Sequence, residues 1–569
     1  MKQNSYFYSF IPIIQLNKAD KINITVITFI WAIAVILVNP IGDFPLNDDW
    51  AYAQSVKSLL ETGKFELPGW AVANLLPQAL WGALFCLPFG FSFTALRFST
   101  LVLGWLGVIA TYLLIKEVGS PQKLAFIGAL LIAVNPLYFS LSNTFMTDVP
   151  HYAVTVLSLY FFAVGIKKNS LSIIIIATFI AIVSFLIRQV TVALFAGYAI
   201  AYIVNNKAKI LSIVTAIILF FILPVGIQKV FALFFWPKDF GNYGVKEEEV
   251  VSQLTYVNTE AITNFAYFAL CTLLYLGVFI LPFAVICFSI KLKAVNRFTK
   301  SLLINFLLFI IITISIWLVL ESAKMPIKGN IINKWGSGPL TLRSTILSSS
   351  PIPNYLEVFW SIVTICAAIG AGLLLLFFAL SIIEFLFNKT ANADRKSIML
   401  LNNSTAFIYF LPIGLGYFFD RYLLLFLPLS MIMVLTSIGK IDDFKLNFKF
   451  NSALLSIALI GIFTIGITHD YLSWNRIRWQ ALNDLMQQEI SPNRIDGGFE
   501  FNGWYLYDPN YRIYNARKAK LVWWWVEQDD YIVDFNAIEG YEVAKQYPLN
   551  NWFPFQSDSI FVLRSPSSK

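Results

Sequence analysis

The chain has 569 residues, of which 58% are apolar and only 13% charged, with 52 Phe and 16 Trp. That exceeds the apolar surface a soluble protein of this length needs, so the composition excludes a soluble class and leaves a polytopic membrane protein. The net charge of +8 would suit a nucleic-acid partner, but most Lys and Arg lie in short loops between apolar segments, where the positive-inside rule accounts for them and no nucleic acid is expected.

A run of about 20 apolar residues crosses the hydrocarbon core. Thirteen stretches read as spans: 23–40, 95–115, 124–141, 150–166, 170–187, 190–205, 210–233, 262–289, 301–320, 357–387, 399–418, 422–438 and 453–469. The first lacks a small-residue cleavage site and ends in Asn39-Pro40, so it reads as a retained span. After it come two adjacent carboxylates, Asp48 and Asp49. An amphipathic helix pattern follows, with Tyr52, Val56, Leu59 and Leu60 on one face and Gly63 at its end. The bland account of the acidic pair is a helix cap. The alternative is a reaction site at the lip of a membrane.

Leu75–Phe93 is the ambiguous stretch. If it does not cross, one side collects Lys18 and Lys21, Lys116 and Lys123, Lys167 and Lys168, and Lys207 and Lys209. The same side then takes Lys291, Lys293, Arg297 and Lys300, Lys389, Arg395 and Lys396, and Lys440, Lys445 and Lys449. All these basic loops are then cytoplasmic, whereas a crossing would turn most of them outward. Pro77, Gln78, Pro88 and Gly90 within the stretch suit a juxtamembrane or re-entrant piece. The amino terminus is therefore expected inside, with outer loops at 41–94, 142–149, 234–261 and 321–356.

Residues 470–569 are polar and rich in Trp and Tyr, and read as a small extracytoplasmic α/β or α+β domain. Tyr531–Phe535, Tyr541–Ala544 and Ser559–Leu563 alternate as strands, Trp474–Gln487 reads as a helix and Asp496-Gly497-Gly498 as a turn. The run Trp523-Trp524-Trp525 is better explained by an aromatic belt at the membrane interface than by a sugar platform. Cys86, Cys271, Cys287 and Cys366 lie in apolar stretches and have no metal spacing. Two histidines, His151 and His469, are too few for a His-based metal centre.

The polar residues that interrupt the apolar pattern gather on the outer side: Asp48, Asp49, Asp148, Arg188, Asp420 and Arg421. Ionisable groups at span ends mark functional cavities. No repeat of the span pattern and no matched pair of broken spans is visible, which argues against a transporter.

Asp48-Asp49-Trp50-Ala51-Tyr52-Ala53 is similar to an Asp-Glu-x-x-Tyr-Ala motif, and it heads an ordered set. The set continues with Gly63-Lys64-Phe65, Leu80-Trp81, Phe89-Gly90, Ala95-Leu96-Arg97, Met146-Thr147-Asp148-Val149-Pro150, Arg188-Gln189, and Asp420-Arg421-Tyr422 with Leu427-Pro428. It resembles the GT-C fold of polyprenyl-phosphate-sugar-dependent glycosyltransferases. Within that fold it is similar to the bacterial branch near protein O-mannosyltransferases and the lipid A aminoarabinose transferase (glycosyltransferase family 39 and its relatives). The family often has a Lys or His before a Pro-Pro-Leu stretch near the lipid phosphate, whereas Val72-Ala73-Asn74-Leu75-Leu76-Pro77-Gln78 carries no cation.

The resemblance implies an α-helical polytopic enzyme of about thirteen spans. It would move a sugar, with inversion, from a polyprenyl phosphate to an acceptor hydroxyl on a glycan, lipid or protein. Asp48 matches the family's catalytic Asp and would take the acceptor proton. A carboxylate beside another carboxylate and a lipid face has its pKa raised, which suits a base. Asp49 would orient the acceptor or the base, and Asp148 would line the site. The leaving phosphate needs fixed cations, for which Arg97, Arg188 and Arg421 are the candidates, with Tyr52 and Tyr422 beside them. Snorkelling to headgroups is the plain alternative for each Arg. Lys324, Lys328, Lys334 and Arg343 are weaker candidates. A metal-independent site is expected, with a divalent ion on Asp48, Asp49 and Asp148 as the other option. The membrane location implied is the bacterial plasma membrane. A transporter or flippase of lipid-linked saccharides is the alternative function.

Overall fold

The computed structural model describes residues 16–71, 73–205, 209–235, 259–347, 351–387, 393–416, 418–438, 447–508, 524–526, 528–554 and 557–566. Lys207, Lys389, Lys440, Lys445, Trp523 and most of the loop 234–261, with Glu247–Glu249, lie outside them.

The expected class holds: a helical polytopic membrane protein with a small C-terminal sheet domain. The count of thirteen is not confirmed among the described residues. Among the described residues, nine helices are long and apolar enough to cross a membrane, or ten if one bent pair is a single span. That pair, Gln122–Ala133 and Pro136–Ser142, meets at 59°. Asn135 makes the break, its side-chain oxygen capping the amides of Leu137 and Tyr138, and Pro136 opens the second helix. Leu171–Ile187 and Gln189–Asn205 are helical where spans were expected but are shorter. Leu76–Cys86 has 11 residues, so it reaches about 16 Å and cannot cross, in line with the juxtamembrane reading.

Helices Thr259–Ala294 and Asn354–Phe387 approach where Gly277 meets Gly370 and Ala371; a Cβ on Gly277 would stand 2.4 Å from the Ala371 nitrogen. Close packing of small residues is how helices associate without a hydrophobic drive between them.

The basic loops assigned to one side meet one another. Lys116 pairs with Asp20, and Lys167 with Glu117 at 2.8 Å. Lys291 donates to the Ser437 carbonyl at 3.3 Å and Arg395 to that of Thr436 at 2.6 Å.

Helix Asn447–Gln487 has 41 residues, about 61 Å and twice the hydrocarbon thickness. It therefore runs from the bundle into the tail without a break at 469/470. Strands β1 (Ile332–Asn333) and β2 (Gly336–Ser337) form a hairpin between helices Arg297–Leu320 and Asn354–Phe387. The tail carries β3 (Ile495–Asp496), β4 (Tyr531–Asp534), β5 (Glu542–Pro548) and β6 (Ser559–Arg564) in the order β3-β4-β6-β5. The three sequence-read strands are β4, β5 and β6. β3 pairs parallel to β4, which requires a crossover. The helix Phe499–Leu506 lies in that crossover and packs on the helix Asp49–Thr62.

Candidate active site

The acidic-pair helix starts at Asp49, with Asp48 at the cap position. Neither carboxylate acts as the expected cap. Asp48 makes no side-chain cap bond. Its Oδ1 accepts from Trp70 Nε1 at 3.1 Å, and its Oδ2 faces Arg421 Nη1 at 3.3 Å. Asp49 turns the other way, is buried, and accepts from the amides of Phe145 at 2.9 Å and Leu46 at 3.3 Å. Burial pushes its carboxyl up to about 8, against those amides and the Arg97 charge, which favour the carboxylate. The buried carboxyl of the pair is thus the one facing away from the cavity.

Asp148 opens the helix Asp148–Lys168. Across from it, helix Leu171–Ile187 ends as Arg188 takes an extended conformation (φ −144°) before the short turn 189–191. That break swings Arg188 to Asp148 at 2.5 Å, with side chains 16% and 3% exposed. Arg421 and Tyr422 stand on a 3-10 turn, Asp420–Leu423. Asp420 does not pair with the Arg421 guanidinium. Its carboxylate accepts the amides of Ile331 at 3.0 Å, Ile332 at 2.8 Å and Arg421 at 2.8 Å, so it pins the β1–β2 hairpin to this turn. The Tyr422 ring lies 5.2 Å from the Arg188 guanidinium carbon and 5.7 Å from that of Arg421. One aromatic ring therefore holds two cations near each other.

These groups surround one cavity of about 460 Å³, within the range of small-molecule sites. Of the expected residues, Asp48, Tyr52, Asp148, Arg188, Arg421 and Tyr422 line it; Asp49 and Arg97 do not. Burial, with the nearby Asp48 charge, pushes the Tyr52 phenol above its ordinary range. Arg97 neither snorkels nor faces the cavity. It is fully buried and donates to the carbonyls of Pro40 at 2.7 Å, Gly42 at 2.9 Å and Phe44 at 2.5 Å, holding the turn that leads into the acidic pair. Arg343 is buried against Asp496 and Asp529. Lys328 sits over Tyr267 and Phe268. Lys324 lines a separate cleft. None of these reaches the cavity, nor does Lys334.

Further residues line the cavity without a sequence signal: Asn47, Trp70, Asn330, Thr341, Tyr409 and Phe499. The Tyr409 hydroxyl donates to the Tyr422 carbonyl at 3.1 Å. Trp524 also lines it, and Trp525 packs on Trp50 at 5.5 Å and Trp70 at 5.3 Å. These two tryptophans therefore close over the acidic-pair helix and do not form a membrane belt. The three-carboxylate metal set weighed as the other option does not assemble: both Asp49 oxygens are engaged by backbone amides away from the cavity. Among the described residues no group of three His, Cys, Asp or Glu is placed to hold an ion.

The arrangement offers two carboxylates, each paired to a guanidinium, with all four side chains largely buried. Four such groups can exchange partners with an incoming phosphate, leaving a carboxylate free to accept a proton.

Residues 77–227 match the family described as dolichyl-phosphate-mannose-protein mannosyltransferase. The matched stretch holds Arg97, Asp148 and Arg188. It bears out, over 151 of the 569 residues, the resemblance carried by the motifs and the transferase class expected from them. No curated protein sequence matches the chain. Among solved structures, ArnT from Cupriavidus metallidurans in the apo state is similar over 96% of this chain and 98% of that one, at 13% identity and a TM-score of 0.40. The same protein bound to undecaprenyl phosphate gives the same coverage, 12% identity and a TM-score of 0.39. The S. cerevisiae protein O-mannosyltransferase Pmt1-Pmt2 complex bound to the sugar donor is similar over 39% of this chain at 15% identity and a TM-score of 0.33. The chain spans 34% of that complex's matched chain.

Proposed function

We propose that this protein is an integral-membrane glycosyltransferase that moves a sugar from a polyprenyl-phosphate donor to an acceptor hydroxyl on the extracytoplasmic face. One observation carries the reading. Asp48, Asp148, Arg188 and Arg421 come from four separated stretches and meet around one cavity at one end of the helices. The acceptor oxygen attacks the anomeric carbon from the face opposite the phosphate. The new carbon–oxygen bond forms as the bond to phosphate breaks, so the configuration inverts. Asp48 takes the acceptor proton, a contribution typically worth about 100- to 10,000-fold. The polyprenyl phosphate leaves with added negative charge, which Arg188 and Arg421 stabilise through forked contacts. Asp148 holds Arg188 in place, and Tyr422 holds both cations. Asp49 and Arg97 shape the stretch and touch no substrate. The reaction needs no metal in this account.

The donor's isoprenoid chain remains in the bilayer, which is why the polar chemistry is brought to the ends of spans. The charge pattern of the loops supports a cytoplasmic amino terminus, and an outer location for the cavity and for the tail after residue 469 in a bacterial plasma membrane. The acceptor is a hydroxyl on a glycan, lipid or protein. The test is Asp48→Asn in the purified full chain, assayed with a polyprenyl-phosphate sugar. Expected is loss of turnover with polyprenyl phosphate binding retained; turnover within threefold of the parent would refute the base assignment.

A further inference from the structure

The helix Phe499–Leu506 belongs to the tail, yet it touches the acidic pair from two sides. Glu500 on its first turn is fully buried. Its Oε1 accepts the backbone amide of Asn47 at 3.2 Å. Its Oε2 accepts from the Thr341 hydroxyl at 2.7 Å and from Arg478 Nη1 at 2.9 Å. Arg478 is itself fully buried and anchored by its Nε to the Gly497 carbonyl at 2.8 Å. One turn further, Gly503 lies so close to Trp50 that a Cβ there would stand 2.4 Å from the indole ring. The helix thus grips the residue before Asp48 and the residue after Asp49.

Asn47 needs such a grip. Its φ is +55°, in the left-handed region where a non-glycine residue is uncommon and is kept by its surroundings. Its amide donates to a carboxylate supplied from 453 positions away in sequence. Charge-assisted bonds of this kind are stronger than neutral ones, and the Arg478 pair lets Glu500 remain buried as an ion. The same carboxylate holds Thr341 in the outer loop, and Thr341, Asn47 and Phe499 all line the cavity.

We infer that Glu500 of the tail domain is a positioning residue for transfer: it fixes the backbone on which Asp48 rides and ties the tail and the outer loop to the same point. This rests on the function proposed above. A displacement of about 1 Å in a reacting group costs about 100-fold in rate, so the effect falls on turnover and not on donor capture, which depends on Arg188 and Arg421.

The test uses the full chain in nanodiscs with Glu500→Gln and, as a gentler change, Thr341→Val. Hydrogen–deuterium exchange over residues 44–52 and steady-state transfer are both measured. Expected for Glu500→Gln are faster exchange confined to that stretch and kcat lowered about 10- to 100-fold, with donor KM and polyprenyl phosphate affinity within about twofold. Thr341→Val is expected to move each readout in the same direction by a smaller factor. Unchanged exchange at 44–52 in both folded variants would overturn the inference. So would unchanged kcat per folded molecule alongside a lowered melting temperature. If Glu500→Gln fails to fold, Thr341→Val alone decides on the same criteria. Exchange does not depend on the reaction, so faster exchange with no transfer in any form of the protein would sink the transferase reading and leave the Glu500 contact standing.

Discussion

Arg421→Gln is the substitution with the most definite expected size. Arg421 lines the cavity, faces Asp48 at 3.3 Å with its side chain 11% exposed, and keeps a buried Nε with no hydrogen-bond partner among the described residues. That spare donor and the charge beside it suit a phosphate gaining charge as its bond to the sugar breaks. A cation about 4 Å from a full unit charge is worth about 4 kcal/mol at an effective dielectric of about 20. If roughly half of the new charge has developed at the transition state, the differential stabilisation is about 2 kcal/mol, or about 30-fold in kcat. Loss of Asp48's partner adds to this, so a fall of about 30- to 300-fold is expected, comparable to removal of one oxyanion donor. Arg421→Lys keeps the charge and loses the fork, so it recovers only part of the rate. Donor affinity changes less, because Arg188 still holds the phosphate. Single-turnover transfer with donor prebound separates the two effects. A kcat within threefold of the parent, or a defect confined to donor KM, would refute the assignment of Arg421 to the leaving group.

Three further outcomes follow from the same geometry. Trp70→Phe keeps the ring within its aromatic cluster and removes the 3.1 Å bond to Asp48, so kcat falls about tenfold with little change in melting temperature; an unaltered kcat contradicts that contact. Burial pushes the Asp49 carboxyl up to about 8, well above the ordinary carboxylate range. Its folded pKa is raised, so the stability it contributes is fully present below about pH 4 and is lost as pH climbs to about 8. Asp49→Asn should flatten that loss in melting temperature between pH 5 and pH 8.5 (about half a unit past the titration); parallel curves would refute it. Arg97→Leu leaves three buried carbonyls without their donor and should destabilise the protein by about 3 kcal/mol or more. A variant with the parent's melting temperature but impaired donor binding would return Arg97 to the phosphate site.

Much of the architecture was legible because hydropathy and charge act locally. The positive loops sort the chain into two expected sides, and the contacts Lys167–Glu117 and Asp148–Arg188 each join stretches expected on one side. Residues at breaks in apolar runs were legible for the same reason: a charge at a span end has few places to go. Arg97 shows the limit. From sequence it is one more Arg at a span end, and only the path of 40–44 around it reveals a structural ligand for carbonyls. Asp48 and Asp49 are adjacent and chemically alike, and their division of labour depends on which way the first helical turn faces. Glu500 was out of reach, since its partners Asn47, Thr341 and Arg478 lie far apart in sequence. Helices that are apolar but short, such as Leu171–Ile187 with 17 residues, leave the count of thirteen spans unconfirmed among the described residues.

The central claim is that the cavity between Asp48 and Arg188 receives the phosphate end of a polyprenyl-linked donor. The direct measurement is photo-crosslinking of the purified protein with a polyprenyl phosphate bearing a photoreactive group near the phosphate, followed by peptide mapping. Adducts are expected on the cavity stretches around Met146, Gln189 and Tyr409, suppressed by excess unlabelled polyprenyl phosphate. Adducts confined to the lipid-facing surfaces of the helices, or unaffected by that competition, would contradict it.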